Sequence, residues 1–161
     1  MTIYLAADHA GHELKEKVKE FLTDSNYQVE DCGAFDFNKD DDYPDFVRKA
    51  AEAVANDPEH SRAILFGGGG QGEAMVANRF KGVRAAVYYG PRSAVSAVDV
   101  SGRKSVDSLE GIKLAREHND ANALSLAARF LTEPEAIEAV KLWLETPFSG
   151  EERHKRRLDK F

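Results

Sequence analysis

Short runs of apolar residues recur at Thr2 to Ala7, Tyr27 to Asp31, Ala63 to Phe66, Val83 to Tyr88 and Ala123 to Leu126, and most are apolar throughout rather than alternating. Strands of that composition are expected to be covered on both faces. Between them the period changes to that of a helix. Leu14, Val18, Phe21 and Leu22 recur at helical spacing after Asp8, and Phe46, Val47, Ala50, Ala53 and Val54 do so after the Tyr43-Pro44-Asp45 turn. Ala74, Met75 and Phe80 follow a glycine-rich loop, and Ala136, Val140, Leu142 and Trp143 trace a late amphipathic helix that stops near Pro147. Strands alternating with helices at this spacing predict an α/β fold, with right-handed crossovers and a parallel five-stranded sheet carrying helices on both faces. Ligands of such sheets lie at the carboxyl ends of the strands. Strand order is left open. A chain of 161 residues suffices for one well-buried core, so 1–161 is read as a single domain, with no internal repeat or low-complexity tract.

The third apolar run passes through Gly67-Gly68-Gly69-Gly70-Gln71-Gly72 straight into the helix former Glu73-Ala74. Glycines let the backbone come close to a ligand, and several amides then point at an anion held by the free N–H end of a helix. Glu73 places a carboxylate beside that position. The same stretch also reads as a tight strand-to-helix connection in which Glu73 complements the helix dipole.

Charge and cysteine usage narrow the function classes. The formal charge of -6, from 28 acidic against 22 basic residues, argues against a general binder of nucleic acid or of membrane surfaces, which needs a basic excess. Cys32 is the one cysteine, so no intrachain disulfide forms and a reducing compartment fits. The apolar start Met1 to Ala7 has no basic leader and is far too short to span a bilayer. A soluble cytoplasmic protein is expected.

Smaller constellations are expected to converge on the edge that carries the glycine loop. Asp8-His9-Ala10-Gly11 ends the first strand, where Asp8 also reads as a helix cap and His9 as an exposed residue. His118-Asn119-Asp120-Ala121-Asn122 precedes the last strand and also reads as a turn. In the basic tail 150–161, Arg153 and Arg157 lie one helical turn apart if the tail is helical, a pairing that suits a phosphate; the alternative is a solvated basic tail. Asp40-Asp41-Asp42 reads as solvated surface rather than a metal site.

Ala7-Asp8-His9-Ala10-Gly11, Asp42-Tyr43-Pro44-Asp45, the loop Gly67 to Glu73 running into Ala77-Asn78-Arg79, Gly82-Val83-Arg84-Ala85-Ala86, His118-Asn119-Asp120, and Arg153-His154 with Arg157 follow one another in that order. In this succession the chain resembles the ribose-5-phosphate isomerase B family, which also includes the galactose-6-phosphate isomerase subunits. The resemblance covers nearly the whole chain. It implies a Rossmann-like three-layer sandwich, a dimeric or tetrameric homo-oligomer with active sites shared across the interface, and interconversion of a phosphorylated aldose and ketose without metal or other cofactor.

Many members of that family carry a cysteine at the position matching Gly67, and a second group has Gly-Gly-Ser-Gly-Asn-Gly-Glu, similar to this loop. Gly67 cannot act as a base, so the resemblance gives proton transfer between C2 and C1 of the open-chain sugar to Glu73, through a cis-enediolate. Its place at a helix start is expected to keep Glu73 ionised. Cys32 is expected to be buried in the second strand, away from the motifs. Gly69 replaces the serine of the second group, so a hydroxyl contact is missing, while amides of Gly69, Gly70 and Gly72, with Gly68 also at the substrate, still suit an anion hole. Ring opening is given to His118, with Asp8 as its helper. Tyr43 and Asn119 match contacts to sugar hydroxyls. His9, Arg153 and Arg157 match contacts to phosphate, as does Arg129, expected from the neighbouring subunit.

Between Tyr89 and His118 the polar stretch near 99–110 looks longer than the family's usual single helix and reads as an inserted loop, either a tolerated surface insertion or a segment that covers the site, contacts the partner subunit or alters substrate size. Substrate size is therefore open between ribose 5-phosphate and a hexose 6-phosphate of the allose or galactose type. Two rivals come from other classes. Gly67, Gly69 and Gly72 satisfy the dinucleotide-binding spacing, but the next strand ends in Tyr88-Tyr89-Gly90 without the expected acid. A non-catalytic sugar-phosphate binder fits the lost cysteine and serine, but not the retained Glu73 and His118.

Overall fold

Alternate residues of the central strands enter two separate cores, one on each face of a parallel sheet. The computed structural model describes residues 1–161, with strands β1 (Thr2–Ala7), β2 (Gln28–Asp31), β3 (Ser61–Gly67), β4 (Ala85–Tyr88) and β5 (Ala123–Ala127). Its helices are α1 (His12–Asp24), α2 (Tyr43–Asn56), α3 (Gln71–Ala77), α4 (Glu110–Glu117), α5 (Glu133–Glu145) and α6 (Glu152–Leu158). On one face Ile3, Leu5, Ile64, Phe66, Leu124 and Leu126 meet Leu14, Val18 and Leu22 of α1, Ile112 of α4, and Val140 and Trp143 of α5. On the other, Ala6, Ala63, Leu65 and Ala123 meet Val47, Ala50, Ala51 and Val54 of α2 and Ala77 of α3. Alanine on both sides of that second interface lets the helices lie close to the sheet.

The strand order is β2-β1-β3-β5-β4, and every pairing is parallel. The chain therefore runs outward from β1 to β2, then crosses back to β3, and the order reverses between β1 and β3. A crevice opens at such a reversal, outside the carboxyl ends of the strands. The register pairs Ala7 with Phe66 and Gly67 with Ala127, which brings the residues just after β1, β3 and β5 level with one another.

The strand boundaries differ from the apolar runs where local hydrogen bonds compete. The amide of Tyr27 donates to Leu22 O at 3.0 Å and closes the end of α1, and that of Val83 donates to Phe80 O at 3.1 Å within a turn, so neither joins the ladder. At the start of α5, Thr132 and Glu135 form a reciprocal capping box that the apolar pattern does not reveal. The tail from Glu152 to Leu158 is helical, which does place Arg153 and Arg157 one turn apart. The stretch near 99–110 carries no strand and forms helix only from Glu110. It is held together by Asp99, which accepts from the amide and hydroxyl of Ser101, and by Arg103, which bridges Asp99 and Glu110 at 3.1 and 2.7 Å. No helix is long and apolar enough to cross a membrane.

Candidate active site

The glycine loop leaves β3 at Gly67 and enters α3 through Gly70, whose φ of 73° belongs to the left-handed region. Ser125, a polar residue in the otherwise apolar β5, donates its hydroxyl to Gly70 O at 2.7 Å and holds the loop down. Glu73 lies in the first turn of α3 and is buried. Its carboxylate folds back over Gly67, into the space that a Cβ at that position would fill. A side chain at 67 and a carboxylate here therefore exclude one another. Gly67→Ala is expected to push the Glu73 carboxylate aside with folding retained, because the added Cβ takes the space the carboxylate fills; a crystal structure of the variant beside circular dichroism checks this.

Burial pushes the Glu73 carboxyl above its ordinary value, and the nearby Asp8 carboxylate adds to the shift. The expected effect of the helix start runs the other way and is outweighed. A buried acid with a raised pKa is a stronger base once deprotonated.

Asp8 and His9 extend from β1, Tyr43 opens α2 and Arg129 follows β5; with Gln71, Glu73 and the loop glycines they line a cavity of ≈ 270 Å³. Arg129 reaches this position because the β3–β5 ladder continues past the strands, with the amides of Ala128 and Arg129 donating to Gly67 O and Gly68 O at 2.8 and 3.2 Å. Its guanidinium lies over Gly68, 3.1 Å from where a Cβ would stand. Arg129 thus joins Glu73 within one chain, which corrects its expected supply by a neighbouring subunit. The Tyr43 ring lies against Gly72, 2.7 Å from that residue's Cβ position.

Two polar side chains at this site escaped the sequence reading. The space above Gly69, where a serine hydroxyl was missing, is taken by Gln71, whose Oε1 is 2.9 Å from the Cβ position. Asp41 is not solvated surface: its side chain is 7% exposed, and its Oδ1 lies 2.7 Å from His9 Nδ1. Asp8, His9 and Asp41 gather donor atoms within 4.8 Å of one another. Asp8 Oδ1 accepts the amides of Ala10 and Gly11, and Asp41 Oδ1 accepts twice from His9, so these two oxygens and His9 Nδ1 are committed to internal hydrogen bonds. Cys32 lies one residue beyond β2 and is half-buried rather than buried; burial pushes its thiol up to about 11, which leaves it a poor nucleophile.

The remaining expected residues stand at the opposite edge of the sheet. His118 caps the end of α4 and Asn119 follows it, both before the amino end of β5, while Asp8 and Glu73 follow the carboxyl ends of β1 and β3. The length of β5, roughly 15 Å, separates the two groups within one chain, so the expected convergence on one edge and the Asp8–His118 partnership do not occur there. The His118 ring lies 4.2 Å from that of His154 on α6, and His154 Nδ1 is 2.9 Å from Ser149 Oγ. Burial, together with the neighbouring His154 and Arg153, pushes the His118 pKa down. Arg84 and Arg116 clamp Asp120 at 2.7 and 2.8 Å, and Arg84 Nε also donates to the carbonyls of Asn119 and Asp120, fixing the loop. Asn119 borders a wide cleft of ≈ 980 Å³ with Arg79 to Ala86, Leu158 and Phe161. Arg153 is gripped by Glu151 through Nε and Nη2 at 2.7 and 3.1 Å, whereas Arg157 is exposed.

Fold and site together define an α/β protein with a small polar cavity at the carboxyl ends of its strands, lined by a glycine loop, a buried carboxylate and an arginine. More particularly, the chain belongs to the Ribose/Galactose Isomerase family, whose model matches residues 3–102 and 105–161. The stretch read as an inserted loop lies inside the matched spans apart from residues 103 and 104. The chain is 40% identical over 159 residues to ribose-5-phosphate isomerase B of Mycobacterium leprae, covering 99% of this chain and 86% of that protein. Its fold matches ribose-5-phosphate isomerase B of Mycoplasma genitalium, solved with bound ribulose-5-phosphate, with a TM-score of 0.85 and 36% identity over 99% of this chain and 92% of that one. The Thermotoga maritima enzyme of the same name matches with a TM-score of 0.82 and 36% identity, over 99% and 95% of the two chains.

Proposed function

We propose that the chain is an aldose-ketose isomerase that interconverts ribose 5-phosphate and ribulose 5-phosphate in the cytoplasm. The observation that carries this reading is the buried Glu73 carboxylate, raised in pKa, which shares a small cavity with the cationic Arg129 and with His9. The names of the relatives support the same substrate. Glu73 takes the proton from C2 of the open-chain aldose and returns it to C1, while the hydroxyl proton moves from O2 to O1, so that a cis-enediolate lies between the two sugars. Amides of Gly68, Gly69, Gly70 and Gly72 stabilise the oxygen on which charge develops, and Tyr43 borders the sugar hydroxyls. Arg129 and His9 take the phosphate, whose binding is remote from the reacting carbons.

The site is completed by a second copy of the chain. His118 and Asn119 stand too far from Glu73 to serve it in one chain, so in a homodimer each subunit presents its amino-edge group to the other's carboxyl-edge pocket. His118, held largely neutral by its lowered pKa, then opens the furanose ring beside the partner's Asp8, Asn119 contacts the sugar, and Arg153 and Arg157 complete the phosphate site. Loading Arg153 requires the phosphate to share or replace its Glu151 contact.

The test is incubation with ribose 5-phosphate, and separately with allose and galactose 6-phosphates, in D2O without added metal, followed by NMR. Ribulose 5-phosphate with deuterium entering at the exchanging carbon is the expected result. Turnover of a hexose phosphate alone would replace the substrate, and binding without turnover would leave a sugar-phosphate binding protein.

A further inference from the structure

The turn before α2 carries three aspartates in a row, of which Asp40 and Asp42 are exposed and Asp41 is not. The buried member reaches across to the end of β1. Its Oδ1 accepts from the backbone amide of His9 at 3.0 Å and from the ring Nδ1 of the same residue at 2.7 Å. Its Oδ2 is buried with no partner in the chain. A carboxylate can only accept, so Nδ1 carries a proton and Nε2 is the ring nitrogen left for a ligand. Phe37 meets the imidazole edge-on with ring centroids 6.2 Å apart, and the amide bond holds the His9 backbone, so both ring and main chain are fixed. His9 borders the cavity that also holds Arg129 and the glycine loop.

We infer that Asp41 is a positioning residue for the phosphate of the substrate, acting through His9. The arrangement presents Nε2 to the cavity in one orientation and puts an anion behind the ring. When a phosphate arrives on the other side, the imidazole takes up one further proton, from solvent or from the phosphate monoanion, and donates from both nitrogens, Nδ1 to Asp41 and Nε2 to a phosphate oxygen. This role rests on the isomerase reading for the identity of the ligand, although the dyad itself does not.

Two readouts test it. In kinetics with ribose 5-phosphate, Asp41→Ala is expected to raise KM roughly tenfold with kcat changed much less, and to add nothing further in a His9→Ala background, because the two residues act as one unit. Asp41→Asn, which keeps an acceptor but loses the charge, is expected to fall between wild type and Asp41→Ala and serves if the alanine variant does not fold. In the second readout, inorganic phosphate is titrated into the protein while the His9 ring nitrogens are followed by NMR. Phosphate is expected to move the Nε2 resonance of the wild type at lower concentration than that of the Asp41 variants. An unchanged KM, additive losses in the double variant, or a His9 ring that ignores phosphate in the wild type would each overturn the inference. A wild type that fails to turn over any sugar yet shows the Asp41-dependent phosphate shift would sink the isomerase reading and leave the dyad standing.

Discussion

Glu73→Gln is expected to lower kcat by about 10²–10⁴-fold and to abolish exchange of the C2 proton with solvent, while sugar-phosphate binding changes little. Glutamine matches the volume of the glutamate that fills the space over Gly67, so the pocket keeps its shape and only the base is lost. Deuterium incorporation measured by NMR, beside binding measured by calorimetry, separates the two effects; retained exchange would remove Glu73 from the proton-transfer role. The pH dependence follows from the same group. A general base works deprotonated, and burial with the neighbouring Asp8 raises this carboxyl, so kcat/KM of the wild type is expected to fall with acidification at a higher pH than an unperturbed glutamate would give. Stability carries the opposite sign. The native state holds the Glu73 proton more tightly than the unfolded chain, so this residue's contribution is fully present below the unfolded pKa and is lost as pH rises through the native one. Glu73→Gln removes that loss, and its Tm at neutral pH is expected to be no lower than that of the wild type.

Mixing two inactive variants is expected to restore activity. If each site takes Glu73 from one subunit and His118 from the other, Glu73→Gln and His118→Ala homodimers are both crippled. A heterodimer of the two contains one site with both groups intact and one with neither. Random assortment makes half of the dimers mixed, so co-expressed or co-refolded variants are expected to recover roughly one quarter of wild-type activity. Activity no greater than the sum of the separate variants would place Glu73 and His118 in one chain's site, against their placement at opposite ends of the strands.

Much of the architecture was legible because its signals are local. Continuous apolar runs mark strands covered on both faces, and the change from a short apolar run to a helical period places the crossovers, so the five strands were found with errors only at their ends. The glycine loop and Glu73 were legible for the same reason, since one stretch of chain carries strand, turn, helix start and carboxylate together. Gln71 was overlooked inside that stretch because its importance depends on the empty space above Gly69, which is a fact about packing. Asp41 was misread because a run of three aspartates looks solvated, and nothing in the run shows that its middle member meets His9 across 32 positions of sequence.

The sequence by itself determined the kind of layers, the glycine loop at the end of the third strand and the residue types that make acid–base chemistry available. Tertiary structure alone decided which of those residues share a site, because that depends on strand order and on which end of the sheet each loop leaves. Glu73, Asp8 and Arg129 meet because β1, β3 and β5 lie side by side with their carboxyl ends level. His118 and Arg153, although adjacent in motif order, approach the sheet from its amino end. Which strands lie side by side appears in no single segment of sequence, since only the pairing of distant strands creates it.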